Sequence, residues 1–167
     1  CTYRQLGKIE SDDVIAAAKW LSKQPNVDAA NIGIWGWSFG GFMSSLCIMK
    51  GSDIFSTAIS IAPVTNWRYY DSIYTERYMR TPEENESGYD NNSPMNYVDQ
   101  LKGNLLLCHG TADDNVHVQN TYELAERLVQ ANKQFDMAIY TNRNHSIFGG
   151  QTSLQLYTKF VKYLKDH

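Results

Sequence analysis

Ser38 stands in Gly36-Trp37-Ser38-Phe39-Gly40, a G-x-S-x-G pattern, after the apolar run Ile32-Gly33-Ile34-Trp35 and before a helix-like run from Phe42 to Met49. A serine hydroxyl is a weak nucleophile until a base takes its proton and an acid fixes that base in the right tautomer. A chain that reverses sharply from strand to helix lifts the hydroxyl clear of the sheet. It also aims the first helical amides at the same point, so negative charge developing on a substrate oxygen meets backbone donors. Glycines are expected on either side because side chains there would collide with the neighbouring strand and helix. A glycine-rich turn around a buried serine needs no strand before it and no helix after it; this context favours chemistry.

Two later segments offer an acid and a base. Gly110-Thr111-Ala112-Asp113-Asp114-Asn115 follows the apolar run Leu105-Leu106-Leu107-Cys108, and Asn142-Arg143-Asn144-His145-Ser146 follows the run from Phe135 to Tyr140. Serine, then aspartate, then histidine is the chain order of α/β-hydrolases, with the later two on loops after successive strands. Asp113 is nearer the strand end, while Asp114 could cap the following helix, so both remain candidates with position favouring Asp113. Of the histidines, His109 precedes the acid loop, His117 enters the next helix, His167 ends the chain, and only His145 directly follows the last strand. His109, Asp113, Asp114 and His117 could be read as metal ligands, but their spacing matches no helical face and no second cluster supports it.

The elements that must position these residues alternate. A helix is expected from the Ser11-Asp12-Asp13 cap through Val14, Ala17, Ala18 and Leu21, stopped by Pro25. Strands are expected over 31–37, 55–61, 105–108 and 135–140, and helices over 40–50, 118–132 and 151–164. Short apolar strands alternating with helices predict an α/β-hydrolase-like, mainly parallel sheet covered by helices on both faces. The exception is the long polar segment 64–100, whose length predicts a functional loop or small helices of its own.

At 167 residues, 43% hydrophobic and a net charge of −3, the chain has room for one core and no basic footprint for nucleic acid. No apolar run has the length of a membrane span. Cys47 and Cys108 read as small buried hydrophobes, and with Cys1 they form an odd, sparse set that leaves the redox compartment open. Asn85, Asn91 and Asn144 match the glycosylation pattern; a glycan on Asn144 would crowd the base, so that match reads as accidental.

Gly36-Trp37-Ser38-Phe39-Gly40-Gly41, Ala62-Pro63-Val64, the stretch from Trp67 to Met79 and His109-Gly110-Thr111-Ala112-Asp113-Asp114-Asn115-Val116-His117 together resemble the prolyl oligopeptidase family of serine peptidases, in its dipeptidyl peptidase branch. The resemblance runs over almost the whole chain, and the aromatic-acidic stretch is more specific than the serine motif. It implies an exopeptidase that removes an N-terminal dipeptide when the second residue is proline or, less readily, alanine, with no metal or cofactor. It implies Ser38 as nucleophile, Asp113 as acid, His145 as base and the backbone N–H of Phe39 as an oxyanion donor. It also implies that Val64, Trp67, Tyr70 and Tyr74 line a proline pocket and that Asn115 binds a substrate carbonyl, with Tyr69 and Tyr78 structural. By the resemblance alone, a bacterial periplasmic or secreted protein is favoured.

Phe39 stands where this family usually has tyrosine, which changes pocket polarity but leaves the backbone donor. The chain opens at Cys1 with no obvious first strand, so residues 1–167 are expected to be the C-terminal portion of a catalytic domain. A β-propeller and earlier strands, with a second oxyanion donor and an amine-binding glutamate pair, would lie upstream. Weak or no activity is expected of the piece alone, along with self-association or homodimerisation through the exposed edge of strand 31–37 or the final helix. Two rival readings are a carboxylesterase, which shares the serine, acid and base, and a non-catalytic module that kept the fold.

Overall fold

The computed structural model describes residues 2–167. The elements are α1 (Lys8–Leu21), β1 (Gly33–Trp37), α2 (Phe39–Lys50), β2 (Thr57–Ile61), α3 (Ser72–Met79), α4 (Glu86–Asn91), β3 (Asn104–Gly110), α5 (Gln119–Gln130), β4 (Asp136–Tyr140) and α6 (Thr152–Asp166). All four strands are parallel in the order β1-β2-β3-β4. β1 is an edge of this sheet, pairing Gly33 with Thr57 and Trp37 with Ile61.

β2 and β3 are apolar on both faces because both faces are covered. Leu105, Leu107 and Ala58 pack with α2 and α5, through Leu46, Met49, Leu124 and Leu128. Ile59, Ile61, Leu106 and Cys108 point the other way, onto Leu156, Phe160 and Tyr163 of α6. α2 is buried from Gly41 to Met49, as a helix apolar on every side must be. Its serines are satisfied: Ser44 donates to the Gly40 carbonyl at 2.8 Å, and Ser45 donates to Ser60 of β2 at 2.8 Å, whose own hydroxyl donates to the Gly41 carbonyl at 2.7 Å.

α1 starts earlier than the Ser11-Asp12-Asp13 cap predicts. Gly7 is the N-cap, at φ 112°, and the Glu10 carboxylate accepts its N–H at 2.9 Å. Ser11 lies inside the helix, buried, donating to the Lys8 carbonyl and accepting from Lys50 Nζ at 2.7 Å. The helix stops at Leu21, four residues before Pro25. The segment 64–100 folds as α3, α4 and three single 3-10 turns at Trp67–Tyr69, Pro94–Asn96 and Val98–Gln100.

β3 runs on to Gly110, beyond the expected end at residue 108, so His109 belongs to the strand and is buried. Cys47 and Cys108 are buried free thiols, each pushed up to about 12 by burial, and Cys1 lies outside the described residues. Asn85 is also buried, its amide donating to the Arg4 and Met79 carbonyls, and so is closed to a glycan. Among the described residues no helix is long and apolar enough to cross a membrane.

Leu107 is wholly buried in the strand that carries the acid loop. Leu107→Ala should lower unfolding free energy by about 2–5 kcal/mol in urea titration.

Candidate active site

Ser38 links β1 to α2 at φ 59° and ψ −116°, outside the comfortable regions for an L-residue. Its N–H donates to the Ile61 carbonyl at 2.8 Å and its carbonyl accepts the Phe42 N–H at 2.9 Å, so both sheet and helix hold the strained turn. The glycine roles differ from those expected. A Cβ on Gly36 would lie 2.3 Å from the Gly40 carbonyl oxygen, and one on Gly41 would lie 2.6 Å from that of Ile61. A Cβ on Gly40 would meet nothing within 4 Å. Gly36 and Gly41 are therefore the sterically required positions, the second because α2 sits directly against β2. Phe39 opens α2, where first-turn amides lack intrahelical acceptors.

The loops after β3 and β4 are joined by backbone. Thr111 N–H donates to the Tyr140 carbonyl and Ala112 N–H to the Arg143 carbonyl, both at 3.0 Å, while Asn142 N–H donates to Thr111 Oγ1 at 2.8 Å. Gly110 is needed for this contact, because a Cβ there would sit 2.2 Å from the Arg143 carbonyl oxygen.

Asp113 thereby meets His145: the imidazole Nδ1 donates to Oδ2 at 2.7 Å. Oδ1 accepts the N–H groups of Asn115 at 3.0 Å and Val116 at 2.9 Å. The Asp113 side chain is fully buried while that of His145 is 21% exposed, which leaves the acid dry and the base reachable. Burial pushes the Asp113 carboxyl up, but hydrogen bonds from His109 and His145, the His145 charge and the Asn115 amide outweigh it. The group is held well below the usual carboxylate range. It therefore stays ionised wherever the imidazole can serve as base. With Nδ1 committed to the acid, His145 presents Nε2 outward. No hydrogen bond joins Ser38 Oγ to the imidazole among the described residues; such bonds often tighten only on substrate binding.

Asp114 is exposed and caps nothing among the described residues; α5 is entered instead through His117, whose Nδ1 accepts the Gln119 N–H at 3.2 Å. Among the described residues no group of three or more His, Cys, Asp or Glu is arranged to hold a metal ion.

The aromatic segment reaches this site from both sides. The Phe39 ring lies 6.2 Å from Trp67, which stacks on Tyr74 at 6.0 Å and meets Tyr70 edge-on at 6.1 Å. Tyr70 donates its hydroxyl to Asn115 Oδ1 at 2.9 Å. Burial, then the charges of Asp71 and Asp113, raise the Tyr70 phenol above its ordinary value, so it remains a donor. Trp67 is only 1% exposed and Val64 2%, so Tyr70 and Tyr74 form the accessible part of this wall. Trp67 is anchored by its indole N–H on the Leu6 carbonyl at 3.2 Å. Tyr78 packs on Tyr74, whereas Tyr69 faces solvent.

A family model described as the Prolyl oligopeptidase family matches residues 1–167. The chain belongs to the prolyl oligopeptidase family. It is similar to the crystal structure of Porphyromonas gingivalis dipeptidyl peptidase 4, with 56% identity and a TM-score of 0.98 over 100% of this chain and 24% of that one. Over 98% of its length it is 42% identical to dipeptidyl peptidase 4 of Felis catus and 40% identical to prolyl endopeptidase FAP of Mus musculus. The chain spans about a fifth of these curated relatives, 22% of each. Its sheet and helices are part of an α/β-hydrolase fold.

Sequence reasoning missed two contacts in this family member. Trp37 donates its indole N–H to the His145 carbonyl at 2.8 Å, tying the strand before Ser38 to the His145 loop. His109 lies behind the acid, within 3.2 Å of Asp113 Oδ2. An aromatic beside the elbow and a histidine at the strand end were visible, but only tertiary pairing gives them partners.

The elbow yields a contrast. Gly41→Ala should destabilise by about 1–3 kcal/mol in thermal unfolding, since strand backbone must move. Gly40→Ala should leave the midpoint unchanged or slightly raised.

Proposed function

We propose that this chain carries the nucleophile, acid and base of a serine-type dipeptidyl peptidase that releases N-terminal dipeptides with proline or alanine second. One observation carries the reading: the Tyr70–Asn115 hydrogen bond at 2.9 Å closes a continuous path of aromatic contacts from Phe39, beside Ser38, to the loop of Asp113. A flat apolar pyrrolidine suits such a wall, and a hydroxyl–amide pair at its end suits a peptide carbonyl. An esterase acting on simple acyl groups needs neither.

The steps follow from the atoms available. Ser38 Oγ bonds to the scissile carbonyl carbon as His145 Nε2 takes the hydroxyl proton, and the carbonyl π pair moves to oxygen, facing the Phe39 N–H. Asp113 keeps Nδ1–H in place and stabilises the imidazolium. The C–N bond then breaks, the imidazolium gives its proton to the departing amine, and the dipeptide remains as an ester on Ser38. Water, deprotonated by His145, hydrolyses that ester and restores the serine.

On this reading residues 1–167 are the C-terminal portion of an α/β-hydrolase catalytic domain. Upstream sequence would supply a second oxyanion donor and the grip on the substrate's amine, and the piece alone would be weakly active. Self-association belongs to the same proposal. For residues 1–167 alone it is supported by the edge position of β1, and by Leu154, Tyr157, Val161 and Leu164, exposed at helical steps along α6, whose Phe160 meets Trp35.

The whole protein should hydrolyse a glycyl-prolyl anilide far faster than a simple acyl ester; the reverse preference overturns the dipeptidyl reading. Ser38→Ala should lower that activity at least about 10⁵-fold, and Asp113→Asn about 10⁴-fold, as measured by kcat/KM. Sedimentation of residues 1–167 alone should show a concentration-dependent species larger than a monomer, shifted toward monomer by Val161→Glu.

A further inference from the structure

His109 is fully buried in β3, and the chemistry just described does not use it. Its ring is nonetheless bonded at both nitrogens. Nε2 lies 2.8 Å from the Val116 carbonyl oxygen and 3.2 Å from Asp113 Oδ2, and Nδ1 lies 2.7 Å from Thr121 Oγ1 of α5. A carbonyl and an ionised carboxylate can only accept, so Nε2 must carry the hydrogen, shared between them. Nδ1 of the neutral ring is then an acceptor, and the buried Thr121 hydroxyl donates to it. The tautomer is thus assigned by its partners, and each polar atom around the ring has a role.

Oδ2 of Asp113 therefore receives imidazole N–H groups from two histidines, His145 at 2.7 Å and His109 at 3.2 Å. With two amides on Oδ1, the carboxylate has about as many donors as it has lone pairs. We infer that His109 is a positioning residue for the acid: held by Thr121 and Val116, it fixes the carboxylate plane and shares Oδ2, limiting how strongly Asp113 stabilises protonated His145. The inference rests on the triad reading above and extends it to a residue that touches no substrate.

The sign follows from competition for one oxygen. Without the His109 N–H, Oδ2 carries more negative charge toward His145, the imidazolium gains, and the base becomes free only at higher pH. Other titratable groups around the pair do not reproduce this. Cys108 on β3 and Tyr140 on β4, both pushed up mainly by burial to about 12, stay neutral over the working range. Tyr70, on the aromatic segment, is likewise raised. Asp114, His117 and Arg143 belong to the same loops and α5 entry and are unchanged between the variants compared.

The test uses the whole protein and two readouts: kcat/KM for the anilide against pH, and the pH dependence of Ser38 labelling by a fluorophosphonate, which needs no peptide specificity. His109→Leu and His109→Asn, whose shorter amide can meet Thr121 but not Oδ2, should lower kcat/KM about tenfold. They should also move the acidic limb up by about half a pH unit. His109→Gln, whose terminal amide stands where Nε2 stood, should return the limb to its original position. If the leucine variant fails to fold, the asparagine–glutamine pair decides. Acidic limbs that coincide for asparagine, glutamine and unsubstituted protein overturn the inference and leave a residue of packing only. Labelling without anilide hydrolysis in the unsubstituted protein overturns the substrate reading and leaves this comparison intact. No labelling overturns the triad and this role with it.

Discussion

Asp113 and His145 are 32 residues apart, on loops that leave neighbouring parallel strands, and neither side chain has length to spare. What joins them is a seam of backbone: Thr111 and Ala112 donating across to Tyr140 and Arg143, with Gly110 so close to the Arg143 carbonyl that a Cβ would stand 2.2 Å from its oxygen. Strand pairing continues to this point, since Gly110 and Tyr140 are the last pair of the β3–β4 register. The acid–base distance is thus set by sheet hydrogen bonding carried a few residues beyond the sheet. On the proposed reading this pair tolerates little error, because misplacement by about 1 Å can cost about 10²-fold in rate.

Part of the backbone strain lies along the same rim. Ser38, Ala62 and Ile147 adopt φ of 59°, 44° and 46°, at the ends of β1 and β2 and in the histidine loop. Each such residue costs on the order of 1–3 kcal/mol and persists only where its surroundings over-determine it. The determinants are visible: Ser38 N–H on the Ile61 carbonyl, Ala62 N–H on the Cys108 carbonyl, and Ile147 N–H on the Asn144 carbonyl with its side chain wholly buried against α6. The apolar layer of Leu156, Phe160 and Tyr163 has a mechanical role as well as a thermodynamic one. It seats Ile147, two residues beyond the base, in a conformation that a β-branched side chain would otherwise leave.

The legible parts of this chain were those whose cause is local. The elbow could be read because strand, glycines and helix follow one another within 20 residues, and the strand–helix alternation pointed to parallel strands, though not to their order. Asp113 was preferred over Asp114 for its closeness to the strand end, and of the two its side chain is the buried one. Non-local causes were illegible. The α1 cap was misplaced because Gly7 sits where Phe42 leaves no room for a side chain, a contact with α2 that the pattern from Val14 onward cannot reveal. Gly40 looked as constrained as Gly36 by symmetry of the motif, but helix and strand approach from one side only. From the sequence His109 only precedes the acid loop, and it is the turn of Val116 and the start of α5 that hold it against Asp113.

Trp37 explains how rigidity and proton transfer can coexist. In the proposed relay a proton leaves one oxygen, rests on a nitrogen and departs to another group, so Ser38 Oγ and His145 Nε2 could not also be the atoms that hold the site together. Here the holding is done elsewhere. Ser38 is fixed through its backbone to Ile61, and His145 through its carbonyl to the Trp37 indole at 2.8 Å and through Nδ1 to Asp113. Trp37 directly precedes Ser38 and belongs to the register that pairs it with Ile61, so both loops are referenced to the same pair of residues on β1 and β2. The reacting atoms keep their lone pairs, while the backbones that carry them cannot drift apart independently.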